Sequence, residues 1–269
     1  MPEPALLTER DGHVVTVTMN RPEVKNAINP EMLVRLADAW DMCDNDPGVR
    51  AIILTGTGSD FCAGADLDKL VARSLAGAPP EDEFEQRIRD DYSVIFSGLL
   101  TNRQLKKPLI AAIEGYCVAG GTEILQSTDI RIAGEGAVFG VTEVKWSLYP
   151  QGGSTIRLRR QIPYAKAMEM LLTGDMYPAD DALSFGLISR VVPSGTALAK
   201  AREVAARVAS NGPLAVQAIK EAVQRTECLP EQDALALDLQ IGMKVSQSKD
   251  AREGPRAFKE KRTPNFTGE

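Results

Sequence analysis

The chain has 269 residues, of which 43% are hydrophobic and 25% are charged, and its formal net charge is −6. This length allows one large domain, or a core with a smaller appendage. The acidic balance argues against a chain-wide affinity for nucleic acid or for an anionic membrane. The chain shows no secretory signal and no apolar run of the roughly 20 residues that span a bilayer. Together with four widely spaced cysteines, this predicts a cytoplasmic protein with reduced thiols.

The first half of the chain alternates strand and helix signals. Asn29-Pro30-Glu31 predicts a helix start, with a capping side chain before proline at the first helical position. A buried strand is predicted over 51–56. The small and polar residues of 74–83 predict a loop, and a longer helix is predicted from about 84 to 100.

The sequence contains a single histidine, His13, which follows the turn signal Asp11-Gly12 and precedes an alternating strand pattern. A strand-start role is the ordinary interpretation of such a residue. A histidine base would therefore have to stand at a hairpin tip, and histidine-ligated metal sites are disfavoured. We therefore expect acid–base chemistry to come from carboxylates.

Two segments share the order strand, glycine-containing turn, helix start. F-C-A-G-A-D-L (61–67) follows the strand predicted over 51–56, and C-V-A-G-G-T-E (117–123) follows a strand predicted over 109–115. If both turns open on the same side, their backbone N–H groups can bind one oxyanion from two directions. For either segment alone, glycines that only permit tight turns are the better explanation. The two segments together favour an oxyanion site.

Two glutamates accompany the second segment. Glu123 lies one turn into the predicted helix, and Glu143 follows it in F-G-V-T-E. Carboxyl groups beside an oxyanion site can move protons to and from the molecule that bears the charge. Taken singly, Glu123 is also explained by a favourable interaction with the helix dipole, and Glu143 by an exposed loop charge.

The chain resembles the crotonase (enoyl-CoA hydratase/isomerase) superfamily along essentially its whole length. The matching segments are M-N-R-P-E-V-K-N-A-I (19–28), F-C-A-G-A-D-L (61–67), K-P-L-I-A-A-I-E-G-Y-C-V-A-G-G-T-E (107–123), F-G-V-T-E (139–143), L-T-G-D-M-Y-P-A-D-D-A-L-S-F-G-L-I (172–188) and E-G-P-R-A-F-K-E-K-R-T-P-N-F (253–266). K-W-S-L-Y-P (145–150) is most similar to hydratases from actinobacteria. The resemblance implies an α/β (α+β) fold, with a crotonase-like spiral of repeated ββα units over 1–195 and a helical oligomerisation region over 196–269.

The resemblance also implies a reaction. The N–H groups of Ala65 and Gly120 match an oxyanion hole for the thioester oxygen. Glu123 would be the base toward the water that attacks C3, and Glu143 would deliver a proton to C2. This is enoyl-CoA hydratase chemistry, a carbon–oxygen lyase reaction without metal or other cofactor, since coenzyme A belongs to the substrate. The alternatives are a double-bond isomerase, an acyl-CoA hydrolase or a non-catalytic acyl-CoA-binding protein; two carboxylates favour hydration.

Ligand-binding residues follow from the same resemblance. The implied CoA-binding residues are Arg21, Val24, Lys25, Ala27, Ala63, Asp66 and Leu67, with Phe258 and Lys261 reaching the CoA of a neighbouring subunit. Lys261 also fits an ordinary solvated terminal helix. Trp146 and Gln151 are expected to lie beside the acyl group of the substrate. They do not identify which acyl group the protein binds. Asp68 stands where hydratases often have lysine, and Ala119 stands where many relatives have glycine.

Three helices are predicted near the C-terminal end, over 197–209, 213–224 and 231–245, each with apolar residues at three- and four-residue spacing. They carry more apolar surface than one small unit can bury, which predicts subunit association. The resemblance implies homotrimers, often paired into hexamers.

Overall fold

The computed structural model describes residues 3–269. Its strands are β1 (Leu6–Asp11), β2 (Val14–Met19), β3 (Ala51–Gly56), β4 (Leu109–Ile113), β5 (Tyr116–Val118), β6 (Ile130–Gly134), β7 (Val138–Gly140), β8 (Tyr177–Pro178) and β9 (Arg190–Val192). A six-stranded sheet has the order β1-β2-β3-β4-β6-β9, and a three-stranded sheet has the order β5-β7-β8. β1 is antiparallel to β2 and β8 is antiparallel to β7, and the other pairs are parallel.

Helices surround both sheets. They are α1 (Pro30–Asn45), α2 (Arg73–Leu75), α3 (Glu83–Asp90), α4 (Ser93–Gly98), α5 (Gly120–Leu125), α6 (Ser154–Gln161), α7 (Tyr164–Thr173), α8 (Ala179–Ser184), α9 (Ala197–Ser210), α10 (Pro213–Thr226), α11 (Glu231–Ser246) and α12 (Lys249–Glu260). Short 3-10 helices span Pro22–Val24 and Glu143–Trp146, and a π-helix spans Leu67–Ala72. Within residues 3–269, no helix combines the length and apolar content needed to cross a membrane.

Successive units of the chain each place one strand in each sheet. β4 lies in the large sheet and β5 in the small one, and β6 and β7 repeat this arrangement. After β3, Cys62 takes the equivalent place by pairing in parallel with Cys117 of β5. The N–H of Cys62 donates to the carbonyl of Tyr116 at 2.8 Å, and the N–H of Val118 donates to the carbonyl of Cys62 at 3.0 Å. The turns that follow Cys62 and Cys117 therefore run side by side.

Helix α9 covers one face of the large sheet. Its buried alanines, among them Ala201 and Ala205, pack against Ile53 of β3 and Ile110 of β4. Alanine allows the helix to approach the sheet closely. The region predicted to begin at 196 therefore opens with a helix that completes the core, and its standing as a separate domain stays a prediction.

Two local predictions had different outcomes. α1 begins as predicted, with the side chain of Asn29 accepting the N–H of Met32 at 2.9 Å. The single helix predicted from about 84 to 100 is wrong, because it is divided into α3 and α4. Asp91 is extended at this break, with φ −139° and ψ 93°, and its carboxylate accepts the N–H of Ser93 at 2.9 Å. An aspartate that caps the next turn competes with helix continuation.

Candidate active site

The two predicted oxyanion donors lie on the paired turns. Gly120 begins α5, so its N–H has no acceptor within the helix. A Cβ added at Gly120 would lie 3.5 Å from the backbone nitrogen of Ala65, so the two segments are in contact. Neither N–H donates to another group of the described chain. The expectation of two helix starts is wrong for Ala65, which precedes the π-helix; β-bridge pairing with Ile28 positions it instead.

Unusual backbone conformations shape both turns. Gly64 has φ +97°, and a Cβ there would lie 2.6 Å from the Cβ of Ala119 and 3.2 Å from the nitrogen of Gly120. Ala119 has φ 49° and ψ −125°, in a region that favours glycine. Such a conformation costs on the order of 1–3 kcal/mol and persists where surrounding contacts enforce it. Here the N–H of Ala119 donates to the carbonyl of Gly140 at 2.8 Å.

A cavity of about 290 Å³ opens beside these turns. The predicted residues that line it are Ala63, Ala65, Leu67, Gly120, Glu123, Glu143, Trp146 and Gln151. Much of the remaining wall is aliphatic, with Leu70, Val71 and Leu99 as examples. Trp146 is 68% exposed, and Gln151 is exposed as well. The cavity therefore brings two carboxyl groups and two unpartnered N–H groups together against an apolar wall.

Glu123 is the better hydrogen-bonded carboxyl group of the pair, although its side chain is the more deeply buried of the two. Its Oε1 accepts the N–H of Ser154 at 3.3 Å. Burial raises the pKa of Glu123, while the N–H groups of Gly152 and Ser154 and the Ser154 hydroxyl oppose that rise. A Cβ at Gly152 would lie 2.6 Å from Oε2 of Glu123, so glycine leaves the space that the carboxylate occupies.

Glu143, at the start of its 3-10 helix, lies in a poorer environment for a charge. Burial raises its pKa to about 7, and the neighbouring charge of Glu123 acts in the same direction. Its Oε2 is buried without a hydrogen-bond partner among the described residues. The two environments therefore favour an ionised Glu123 beside a protonated Glu143. An acid and a base can act together in this arrangement.

The predicted CoA loop is tied firmly to the first oxyanion turn. Arg21 forms an ion pair with Asp66 at 3.0 Å, and its Nη1 donates to the carbonyl of Ala27 at 2.6 Å. The N–H of Ala63 donates to the carbonyl of Lys25 at 2.9 Å. Burial opposes ionisation of Asp66, but the N–H of Lys69 and the guanidinium outweigh it and lower its pKa.

The same loop leaves other predicted CoA contacts at the surface. The Nζ of Lys25 lies 3.7 Å from the ring centroid of Tyr116. Val24 is 39% exposed, and Leu67 is 49% exposed at the cavity. Sequence reasoning missed Asn26, which is fully buried and whose amide donates to the carbonyls of Thr57 and Asp60. A buried amide that bridges distant segments leaves no periodic signal in the sequence.

A protein-family model for enoyl-CoA hydratase/isomerase matches residues 9–269. The chain belongs to this family. It is 54% identical over 263 residues to the enoyl-CoA hydratase EchA19 of Mycobacterium tuberculosis, covering 98% of this chain and 96% of that protein. It is 38% identical over 261 residues to an (E)-benzylidenesuccinyl-CoA hydratase of Thauera aromatica, covering 97% and 98%. The crystal structure of enoyl-CoA hydratase EchA1 from Mycobacterium marinum superimposes with a TM-score of 0.89, at 38% identity, over 99% of this chain and 100% of that one.

These matches confirm the predicted crotonase-like fold and the resemblance to actinobacterial members of the enoyl-CoA hydratase/isomerase family. The roles of individual residues remain predictions that rest on the geometry. Phe258 and Lys261 do not line the cavity of their own chain, and Phe258 is 87% exposed on α12. Their predicted contact with a neighbouring subunit's CoA stays a prediction.

The raised pKa of Glu143 predicts a stability change for this family member. Protonation is favoured in the folded chain, so the wild type loses stability as pH rises from the ordinary value of 4.5 through about 7. Glu143→Gln removes this loss. We expect it to raise the free energy of unfolding by about 3 kcal/mol near pH 8, with the gain falling toward zero below pH 4.5. Urea unfolding at a series of pH values measures this, and a gain independent of pH would contradict it.

Proposed function

We propose that this family member is an enoyl-CoA hydratase, which adds water across the 2,3 double bond of a 2-enoyl-CoA to give a 3-hydroxyacyl-CoA. The observation that carries the proposal is the unlike carboxyl pair. Glu123 has hydrogen-bond donors that favour its charged form, whereas burial raises the pKa of Glu143 to about 7. A base and an acid on one cavity wall are what the addition of water requires.

The proposed step balances with groups of this chain and one water molecule. Ionised Glu123 takes a proton from water, and the hydroxide oxygen forms a bond to C3. The π electrons move toward the thioester carbonyl. Its oxygen accepts hydrogen bonds from the N–H groups of Ala65 and Gly120. Protonated Glu143 then gives its proton to C2. Glu123 gains one proton and Glu143 loses one, so the negative charge moves from Glu123 to Glu143 and the step balances without a metal or redox cofactor.

The surroundings of the cavity support an acyl-CoA substrate. The aliphatic wall suits an acyl chain, and the tied segments 21–28 and 63–67 offer a preorganised edge for the CoA portion. The names of relatives include both general and specialised acyl groups, so we propose the reaction without assigning the acyl chain. Trp146 and Gln151, both at the cavity, are the proposed determinants of acyl preference.

We also propose that the chain assembles as a homotrimer or as a hexamer made of two trimers. The outer faces of α10 and α11 carry apolar side chains that are more than half exposed. These are Ile219, Val223, Leu235, Leu239 and Met243. Several large apolar side chains exposed on two neighbouring helices are more typical of an interface between copies than of a solvated surface.

A direct assay tests the reaction. The purified chain is supplied with crotonyl-CoA and with longer, branched and aromatic 2-enoyl-CoAs, and loss of the conjugated-thioester absorbance is followed. We expect hydration of at least one of these compounds, with formation of the 3-hydroxyacyl-CoA verified by mass spectrometry. Conversion of a 3-enoyl-CoA without hydration of any 2-enoyl-CoA would identify an isomerase, and release of free CoA alone would identify a hydrolase.

A further inference from the structure

Ser154 links the proposed base to a buried polar side chain behind it. It is the first residue of α6 and is fully buried. Its N–H donates to Oε1 of Glu123 at 3.3 Å, and its hydroxyl also favours the charged form of that carboxylate. On the other side, its Oγ accepts Nε2 of Gln126 at 2.8 Å. Ser154 therefore lies between Glu123 and Gln126.

The orientation of the Gln126 amide determines where the serine hydrogen goes. Nε2 also donates to the carbonyl of Thr122 at 3.1 Å, and a flipped amide would place its oxygen against that carbonyl. Gln161 fixes the backbone by donating to the carbonyl of Gln126 at 2.8 Å. Because Oγ of Ser154 already accepts an amide hydrogen, its single hydrogen is free to point toward Glu123.

No equivalent arrangement supports the partner glutamate. Oε2 of Glu143 is buried without a hydrogen-bond partner in residues 3–269, whereas Glu123 faces Ser154 and the N–H of Gly152. We propose that Gln126 and Ser154 are positioning residues that hold Glu123 as the ionised member of the pair and so select it as the base. The role of Glu123 as the base rests on the proposed hydration. The order in which Glu123 and Glu143 ionise does not depend on that reaction.

Two other charged groups, Arg157 and Glu143, also act on the charge of Glu123. Arg157 of α6 favours a charged Glu123, but its Nη1 and Nη2 already donate at 2.5 Å to the hydroxyl of Ser127 and to the carbonyl of Leu100. Glu143 opposes a second charge nearby.

Two thiols lie on the segments beneath α5 and stay neutral. Burial raises the pKa of Cys62 to about 12 and raises that of Cys117 well above its ordinary value. The pH dependence of Glu123 therefore reflects Ser154, Gly152, Arg157 and Glu143.

Ser154→Ala tests the inference without relying on activity. Carboxyl carbons of 13C-labelled glutamate are titrated by NMR in the substrate-free protein, with assignments from Glu123→Gln and Glu143→Gln. In the wild type we expect Glu123 to ionise at lower pH than Glu143. Removing the hydroxyl destabilises the charged form, so the ionisation of Glu123 should move up by about one pH unit. An unchanged order and an unchanged midpoint for Glu123 would overturn the proposal.

Two further variants separate positioning from general damage. Gln126→Met keeps the length of the side chain but removes the amide donor, so it should move Glu123 in the same direction by a smaller amount. Ser184→Ala, at an exposed serine whose hydroxyl donates to its own helix, should leave the titration unchanged. If Ser154→Ala fails to fold, Gln126→Met decides, and an unmoved midpoint there would contradict the proposal.

Kinetics then connect the ionisation to the reaction. In Ser154→Ala, the acidic limb of the kcat profile should move to higher pH, with kcat about tenfold lower at pH values below the wild-type midpoint and KM little changed. A uniform loss at every pH would indicate a purely structural role and would overturn the proposal. If the wild type hydrates no enoyl-CoA, the proposed function fails, while the NMR titration still decides whether Ser154 sets the ionisation order.

Discussion

Glutamine at position 123 or position 143 is expected to lower kcat for enoyl-CoA hydration by about 10²–10⁴-fold. Each substitution keeps the size of the side chain and removes one proton-transfer group. Glu123→Gln removes the group that accepts the proton of water, and Glu143→Gln removes the acid that protonates C2. Steady-state rates with the best enoyl-CoA from the substrate panel measure both effects.

Binding separates chemistry from misfolding in these variants. Because neither carboxyl group is a predicted CoA contact, the affinity for a non-reactive saturated acyl-CoA should change by less than about threefold, as calorimetry would measure. Glu135→Gln is the matched control, since Glu135 lies exposed in the turn after β6. Near-normal kcat in either active-site variant would contradict the role assigned to that glutamate. A loss of kcat no larger than that of Glu135→Gln would contradict it as well.

Local signals predicted much of the fold that positions these glutamates. The cap at Asn29 and the turn at Asp11-Gly12 are short-range features, and both occur as predicted. The three C-terminal helices α9, α10 and α11 begin at their predicted residues. Short-range signals did not predict the break between α3 and α4, where the carboxylate of Asp91 accepts the N–H of Ser93.

The sequence predicted the two glycine-containing turns and the two glutamates of the candidate site, but not the residues that contact Glu123. The two glycine-containing turns are visible because the same order of residue types occurs twice, and the family resemblance assigns the glutamates. Gly152 and Ser154 are different, because their importance arises from a contact with Glu123, which is distant in the chain. Neither hydrophobic period nor turn chemistry marks such a contact. Asn26 was not predicted for the same reason.

Displacing the oxyanion hole is expected to have the second large effect on the reaction rate. A substitution that adds a single methyl group tests this. Gly64→Ala is expected to lower kcat by about 10²–10³-fold, comparable to the loss of one oxyanion donor. The added Cβ would lie 2.6 Å from the Cβ of Ala119 and 3.2 Å from the nitrogen of Gly120, so one of the two turns must move. Because both donors are backbone groups, no side-chain truncation can remove them, and displacement is the available perturbation.

Backbone strain needs its own control, since Gly64 has φ +97° and alanine is disfavoured there regardless of contacts. Gly186 has φ +84° with nothing within 4 Å of an added Cβ, so Gly186→Ala carries a similar strain without the collision. Both variants should lose about 1–2 kcal/mol of stability by urea unfolding, but only Gly64→Ala should lose the reaction. Equal kcat losses would mean that strain alone explains the effect. Full activity in Gly64→Ala would mean that the paired turns do not hold the thioester oxygen.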